Sequence, residues 1–246
     1  MLNFIKKLIR LEFIFSYGNL KLGNFKNHKI SYQLLNKEEE ARKLLFDGTE
    51  NHKYKRNFLD VGGRDGSLKY LLGDKGNFKF NKTFYDSNKH KFNDLYNYYG
   101  LDIVPAGSNV LFGDICSHDF KKKYVEKKGF FDVIYSNNVF EHLSKPWVAA
   151  ENITFLLKQG GTVITIAPFS IRYHSVPEDY FRFTHKAIQS LFSDYANYDV
   201  LKTGYDINSR RNNWQGTGKM NDIVPVDNFG AWREAWFIFT ALKKLD

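Results

Sequence analysis

Three carboxylates stand where short apolar runs stop: Asp60 in LDVGGRDGS, Asp86 in FYD and Asp114 in GDI. Gly62, Gly63 and Gly66 follow the first, a turn that lets backbone approach a bound molecule closely. The helix N-terminus behind such a turn offers unsatisfied N–H groups. A carboxylate after a second strand, where Asp86 is expected, has two oxygens that match the adjacent hydroxyls of a ribose. Two imidazoles follow later runs, His142 in FEHL and His174 in IRYHS. Histidine titrates near neutral pH and is suited to taking a proton from a hydroxyl. The stretch APFSIRYHSVPEDYFRFTHKAIQSLF adds Asp179 and Arg182, which either contact substrate or pair to staple the loop, and the rings of Tyr173 and Tyr180, which suit stacking on a sugar. RRNNWQGTGKMNDIVPVDNFGAWR carries Arg210 and Arg211, a pair suited to bidentate contacts with phosphate or carboxylate.

These groups need a scaffold that gathers strand ends on one side. The hydrophobic rhythm supplies one. Asn57–Val61, Lys82–Tyr85, Asn109–Phe112, Phe131–Ser136, Thr162–Ala167, Tyr198–Lys202 and Ala235–Leu242 read as strands. Ser67–Leu72, Lys89–Tyr99, Pro146–Lys158 and a segment capped by Thr184 read as helices. Strands alternating with helices imply an α/β sandwich with a mostly parallel sheet and helices on both faces. Residues 35–46 read as a further helix, N-capped by Asn36 with Glu39 at the capping-box position. The expected division is a helical extension over residues 1–50 and one domain over 51–246.

Composition narrows the classes. The chain has 246 residues, 43% of them hydrophobic and 17% aromatic, which excludes disorder throughout. Cys116 is the single cysteine, so no intrachain disulfide and no cysteine-rich metal site can form. The net charge is +9, of which +5 falls in residues 1–60 and +4 is spread over the other 186. A dedicated nucleic-acid binder usually shows a stronger basic face, and the mild excess suits anionic small substrates at least as well. No apolar run reaches the roughly 18 residues a membrane span needs. Lys6, Lys7, Arg10 and Glu12 interrupt the N-terminal apolar stretch, arguing against a signal peptide. The expected location is the cytoplasm, with peripheral contact to the inner membrane left open.

From Asn57 to Phe192 the chain resembles the class I S-adenosylmethionine-dependent methyltransferases. LDVGGRDGS is similar to their first motif, FYD to their ribose-binding acidic motif and GDI to their adenine-edge motif. FDVIYSNNVFEHL and LKQGGTVITIAPF resemble the fourth- and fifth-strand motifs of the small-molecule branch. The resemblance implies a Rossmann-like, mostly parallel seven-stranded sheet and S-adenosylmethionine as cofactor. It implies cofactor contacts from Asp60, Gly62, Gly63, Gly66, Asp86, Ser87, Asp114, Ile115 and Asn137. Arg64 replaces the first motif's middle glycine, a departure that bears on the cofactor slot. The Gly-x-Gly-x-x-Gly fingerprint of nicotinamide dehydrogenases is missing from GGRDGS.

The segment from His174 through Pro177 to Asp179, Tyr180, Arg182, Phe183 and Thr184 resembles bacterial methyltransferases tied to surface-polysaccharide synthesis. That implies a nucleotide-activated sugar or phosphorylated glycan precursor as partner, methylated on a sugar hydroxyl or phosphate-type substituent. His142 or His174 is then the expected base, and Tyr173, Asp179, Tyr180, Arg182, Arg210 and Arg211 the expected substrate contacts. Some methyltransferases hold a divalent metal with Glu-x-x-Glu-His and a later histidine. Glu141, His142 and His174 are the weak candidates here, with Asn138 at one glutamate position arguing against a metal. The alternatives are an RNA or other small-molecule methyltransferase and a catalytically silent cofactor-binding protein.

Overall fold

The computed structural model describes residues 33–47, 54–63, 67–73, 80–171, 173–174, 178–206, 211–212, 232–233 and 236–246. The chain divides into two compact units, Met1–Gln33 and Leu34–Asp246. The second begins well before residue 51, because helix α1 (Lys37–Phe46) belongs to it. Asn36 caps α1 as expected, its side chain accepting the Glu39 N–H at 2.9 Å. Residues 1–32 of the expected extension lie outside the described residues.

The main sheet comprises β1 (Gln33–Leu34), β2 (Arg56–Val61), β3 (Tyr96–Asp102), β4 (Val110–Phe112), β5 (Phe131–Asn137), β6 (Leu157–Ser170), β7 (Tyr198–Asp206) and β10 (Trp236–Lys244). Their spatial order is β1-β7-β10-β6-β5-β2-β3-β4, seven strands as expected in number plus a two-residue edge. β2, β3, β4, β5 and β6 run parallel, while β10 is antiparallel to both β6 and β7. Two short strands, β8 (Arg211–Asn212) and β9 (Trp232–Arg233), pair antiparallel with each other.

Neighbouring residues of the central strands face opposite apolar layers. Leu59, Ile134, Val163 and Ile238 pack on one face with α4 (Pro146–Leu156) and α5 (His185–Ser193). Phe58, Val133, Tyr135, Ile164 and Phe239 pack on the other, with α1, α2 (Ser67–Gly73) and α3 (Lys82–Leu95). A sheet covered on both faces accounts for the nearly unbroken apolar runs of β5 and β6.

One expected element is wrong. Residues 82–85 are not a strand; they open α3, capped by Asn81, whose side chain accepts the Phe84 N–H at 2.8 Å. The second strand of the domain is β3, within the stretch expected to be helical as far as Tyr99. The rings of Phe58, Phe92, Tyr96 and Tyr98 pack against one another beside it. Aromatic residues fit such a half-buried pleated surface, and alternation in YNYYGLD carries that signal.

Candidate functional site

In an open parallel sheet, ligands settle beyond the carboxyl ends of the strands, where the strand order reverses. Here the reversal lies between β2 and β5. A cavity of about 640 Å³ opens there. Its walls come from the ends of four neighbouring strands: Gly62 after β2, Asp102 and Ile103 closing β3, Asp114 and Ile115 after β4, and Asn138 with His142 after β5. Glu178 and Tyr180 reach it from the segment after β6.

The β2 turn is built tightly. Gly62 takes φ +73°, and a Cβ there would meet Val139 Cγ2 at 2.6 Å. Its N–H donates to the Leu101 carbonyl at 2.8 Å, fastening the turn to β3. Asp60 is fully buried beneath the turn. The Tyr98 hydroxyl lies 3.2 Å from Asp60 Oδ2 and 2.9 Å from the Gly63 carbonyl oxygen. Asp60 and Gly63 therefore shape the turn from below and do not line the cavity. Gly66 lies outside the described residues, as does Arg64.

The placement of Asp86 needs correction: it does not end a strand. Asp86 sits inside α3 with its side chain 54% exposed, paired to Lys82 at 2.6 Å, and Ser87 is also exposed on that helix. Neither lines the cavity. Asp102 occupies the strand-end position expected of Asp86. Its Oδ1 accepts the Val104 N–H at 2.9 Å, and the residue forms part of the cavity wall. The sequence signal was Gly-Leu-Asp closing an aromatic strand. Asp114, by contrast, stands where expected, with Oδ1 accepting the Cys116 N–H at 2.8 Å. Asn137 ends β5, and its side-chain oxygen is buried without a hydrogen-bond partner among the described residues; its neighbour Asn138, at φ 56°, faces the cavity instead.

The two imidazoles come together. His142 and His174 rings meet edge to face with centroids 4.9 Å apart. His142 Nδ1 lies 2.5 Å from the Glu178 carbonyl oxygen, which can only accept, so Nδ1 holds the proton and Nε2 is the acceptor nitrogen of the neutral ring. His174 Nδ1 lies 3.3 Å from Asp179 Oδ2, and the His174 N–H donates to the same oxygen at 2.7 Å. Glu141, only 1% exposed, sits beside them, with Oε1 3.7 Å from His142 Nε2. Burial pushes its carboxyl up to about 8.

Asp179 and Arg182, expected to hold substrate, hold each other. Both guanidinium NH groups donate to the Asp179 carboxylate, whose side chain is 1% exposed, and this pairing holds the carboxyl down at about 2. With the fork, the His174 N–H and the His174 ring all against it, the carboxylate's acceptor positions are taken up within the protein. Arg182 also donates to the Ile171 and Phe181 carbonyls, so the pair staples the segment. Tyr173 and Tyr180 remain exposed, and Tyr180 lines the cavity. Arg210 lies outside the described residues, as does the side chain of Arg211, whose backbone opens β8.

Comparison with known proteins agrees with this architecture. No curated protein matches the chain in sequence. Among solved structures, the YcgJ protein of Bacillus subtilis is similar at 14% identity, covering 85% of this chain and 99% of that one, with a TM-score of 0.50. A SAM-dependent methyltransferase from Archaeoglobus fulgidus shows 12% identity over 84% of this chain and 92% of its own, with a TM-score of 0.49. Phosphoethanolamine N-methyltransferase 2 of Haemonchus contortus, solved with phosphomonomethylethanolamine and S-adenosylhomocysteine, shows 11% identity and a TM-score of 0.48. The match covers 84% of this chain and 53% of the worm enzyme, about half its length. A family model described as a methyltransferase domain matches residues 32–221, well over half the sequence. With strands, cavity and family model in agreement, the chain belongs to the methyltransferase domain family.

Proposed function

We propose that this protein is an S-adenosylmethionine-dependent O-methyltransferase whose acceptor is a sugar hydroxyl or a phosphate-type substituent of a bacterial capsule or lipopolysaccharide precursor. The observation that supports it best is the cavity at the strand-order reversal, with Asp102 and Asp114 on the β3–β4 side and His142, backed by His174, on the β5 side. S-adenosylmethionine supplies an electrophilic sulfonium methyl when bound. Asp102 would accept the ribose hydroxyls, and Asp114 and Ile115 would flank the adenine. The tight backbone of the Gly62 turn would lie against the amino-acid portion. His142 and His174, at the far end, would activate the acceptor hydroxyl, since an alcohol must lose its proton during methylation. The remaining work is alignment of donor and acceptor, which restricts their approach to one line. Tyr180 on the cavity wall offers a ring face to a sugar.

Titration calorimetry with S-adenosylmethionine should give one saturable site per chain. A panel of nucleotide-activated sugars and phosphorylated glycan intermediates, read by mass spectrometry, should then show a product heavier by one methylene. Binding without any methylated product would favour a silent cofactor-binding protein. Methylation confined to RNA would refute the glycan assignment.

A further inference from the structure

The surroundings of Glu141 differ from those of an ordinary buried carboxylate. Both of its oxygens are buried and lack a hydrogen-bond partner among the described residues. A carboxylate removed from water in that way is costly unless a cation or donors face it. What faces it is the imidazole pair. One ligand atom each from Glu141, His142 and His174 lies within 4.8 Å of the others.

The second ring nitrogens are arranged consistently with ligation. His142 Nδ1 is turned to the Glu178 carbonyl and His174 Nδ1 to Asp179, which Arg182 clamps. A ligating histidine ordinarily donates its other N–H to a carbonyl or carboxylate, which fixes the ring and raises its basicity. Both rings have that partner, and in His142 it leaves Nε2 toward Glu141.

We propose that Glu141, His142 and His174 form a divalent transition-metal site at the acceptor end of the cavity. Two imidazoles and one carboxylate favour zinc, manganese or cobalt over magnesium, which prefers oxygen ligands. Ligand bonds of about 2.1 Å place two ligand atoms no more than roughly 4.2 Å apart, so the longest separation closes by roughly 0.6 Å on binding. Three protein ligands leave an open position, and His142 puts it on the cavity wall. A hydroxyl bound there would be polarised toward its alkoxide. The inference rests on the acceptor-end reading of the two histidines and replaces a free imidazole base with a shared cation.

The test uses the full chain, stripped with a chelator and titrated with Zn²⁺ and with Mn²⁺ by equilibrium dialysis and calorimetry. Wild type should bind one equivalent of at least one of them. Glu141→Gln, nearly isosteric, and His174→Gln, at a part-exposed position, should each weaken binding at least tenfold. Asp179→Asn should weaken it about 10- to 100-fold without touching a ligand atom. S-adenosylmethionine binding is measured on the same samples. Lack of stoichiometric metal binding, or binding that survives both ligand substitutions, overturns the metal site. If turnover then still depends on the histidines, they act as free bases and the proposed function stands. Failure of S-adenosylmethionine to bind overturns that function independently of the metal result.

Discussion

The assignment of the ribose carboxylate can be decided by comparing two aspartates 16 positions apart in sequence. Asp102→Ala is a poor probe, since it also removes the acceptor for the Val104 N–H and loosens the turn after β3. Asp102→Asn retains one carbonyl oxygen for that bond and turns the other position into a donor. The substitution should therefore remove one charge-assisted bond to a ribose hydroxyl, a loss of about 1.5–3 kcal/mol. At about 1.4 kcal/mol per tenfold, the dissociation constant for S-adenosylmethionine should rise roughly 10- to 140-fold. Asp86→Asn acts on an exposed pair with Lys82 one helical turn away, and should leave the constant within about twofold. Calorimetry on both variants, with thermal melts to confirm folding, gives the comparison. A weakened Asp86→Asn beside an unchanged Asp102→Asn would refute the placement of the ribose at the end of β3.

Three further outcomes follow from the geometry. Gly62→Ala should destabilise the fold by about 1–2 kcal/mol for its left-handed backbone, plus about 1–3 kcal/mol for overlap with Val139. Adding Val139→Ala should recover only the overlap, so additive losses in a denaturant double-mutant cycle would show that the two residues do not clash. Phe92→Ala removes the one fully buried side chain of α3 and should cost about 3–5 kcal/mol. A melting temperature within a degree of wild type would show that this face does not pack on the sheet. His185 is buried against the Tyr205 hydroxyl, and burial lowers its pKa, so the unfolded chain takes up its proton first as pH falls. Its contribution is present above the ordinary histidine pKa of 6.5 and is lost as pH drops through the folded value. The decline in stability from pH 7 to 5 should thus be shallower in His185→Gln, and equal slopes would refute this.

What could be read in the sequence depended on how local each signal was. The caps at Asn36 and Thr184 involve atoms three residues apart, and both form as expected. The centres of β5 (VIY) and β6 (VITIA) are largely apolar on both faces, so their burial was legible without partners. The failure at residues 82–102 arose because KTFYD and YNYYG are both short and rich in aromatics, the composition of a strand. Only the Asn81 cap and the isolated burial of Phe92 reveal the first as a helix. Misplacing that strand carried the expected strand-end carboxylate with it, from Asp102 to Asp86. The pairing of Asp179 with Arg182 was anticipated as a possibility, but choosing between staple and substrate contact required the Ile171 carbonyl, 11 residues away. The meeting of Glu141 with two histidines joins residues 33 positions apart, and spacing alone could not bring them to one point.

Beside the Asp179–Arg182 staple, main-chain bonds hold the strip that carries Tyr180. Tyr180 and Phe181 N–H groups donate to the Glu141 carbonyl at 2.7 and 3.2 Å, and the Phe183 N–H donates to that of Pro168 at 3.0 Å. Such bonds are indifferent to side-chain identity. The ring of Tyr180, half exposed on the cavity wall, can therefore be exchanged without unpinning the strip that carries it. Acceptor preference and foldability are thereby uncoupled at this position, and a lineage can drift from one acceptor to another through ring substitutions while the main-chain ties of the strip stay unaltered.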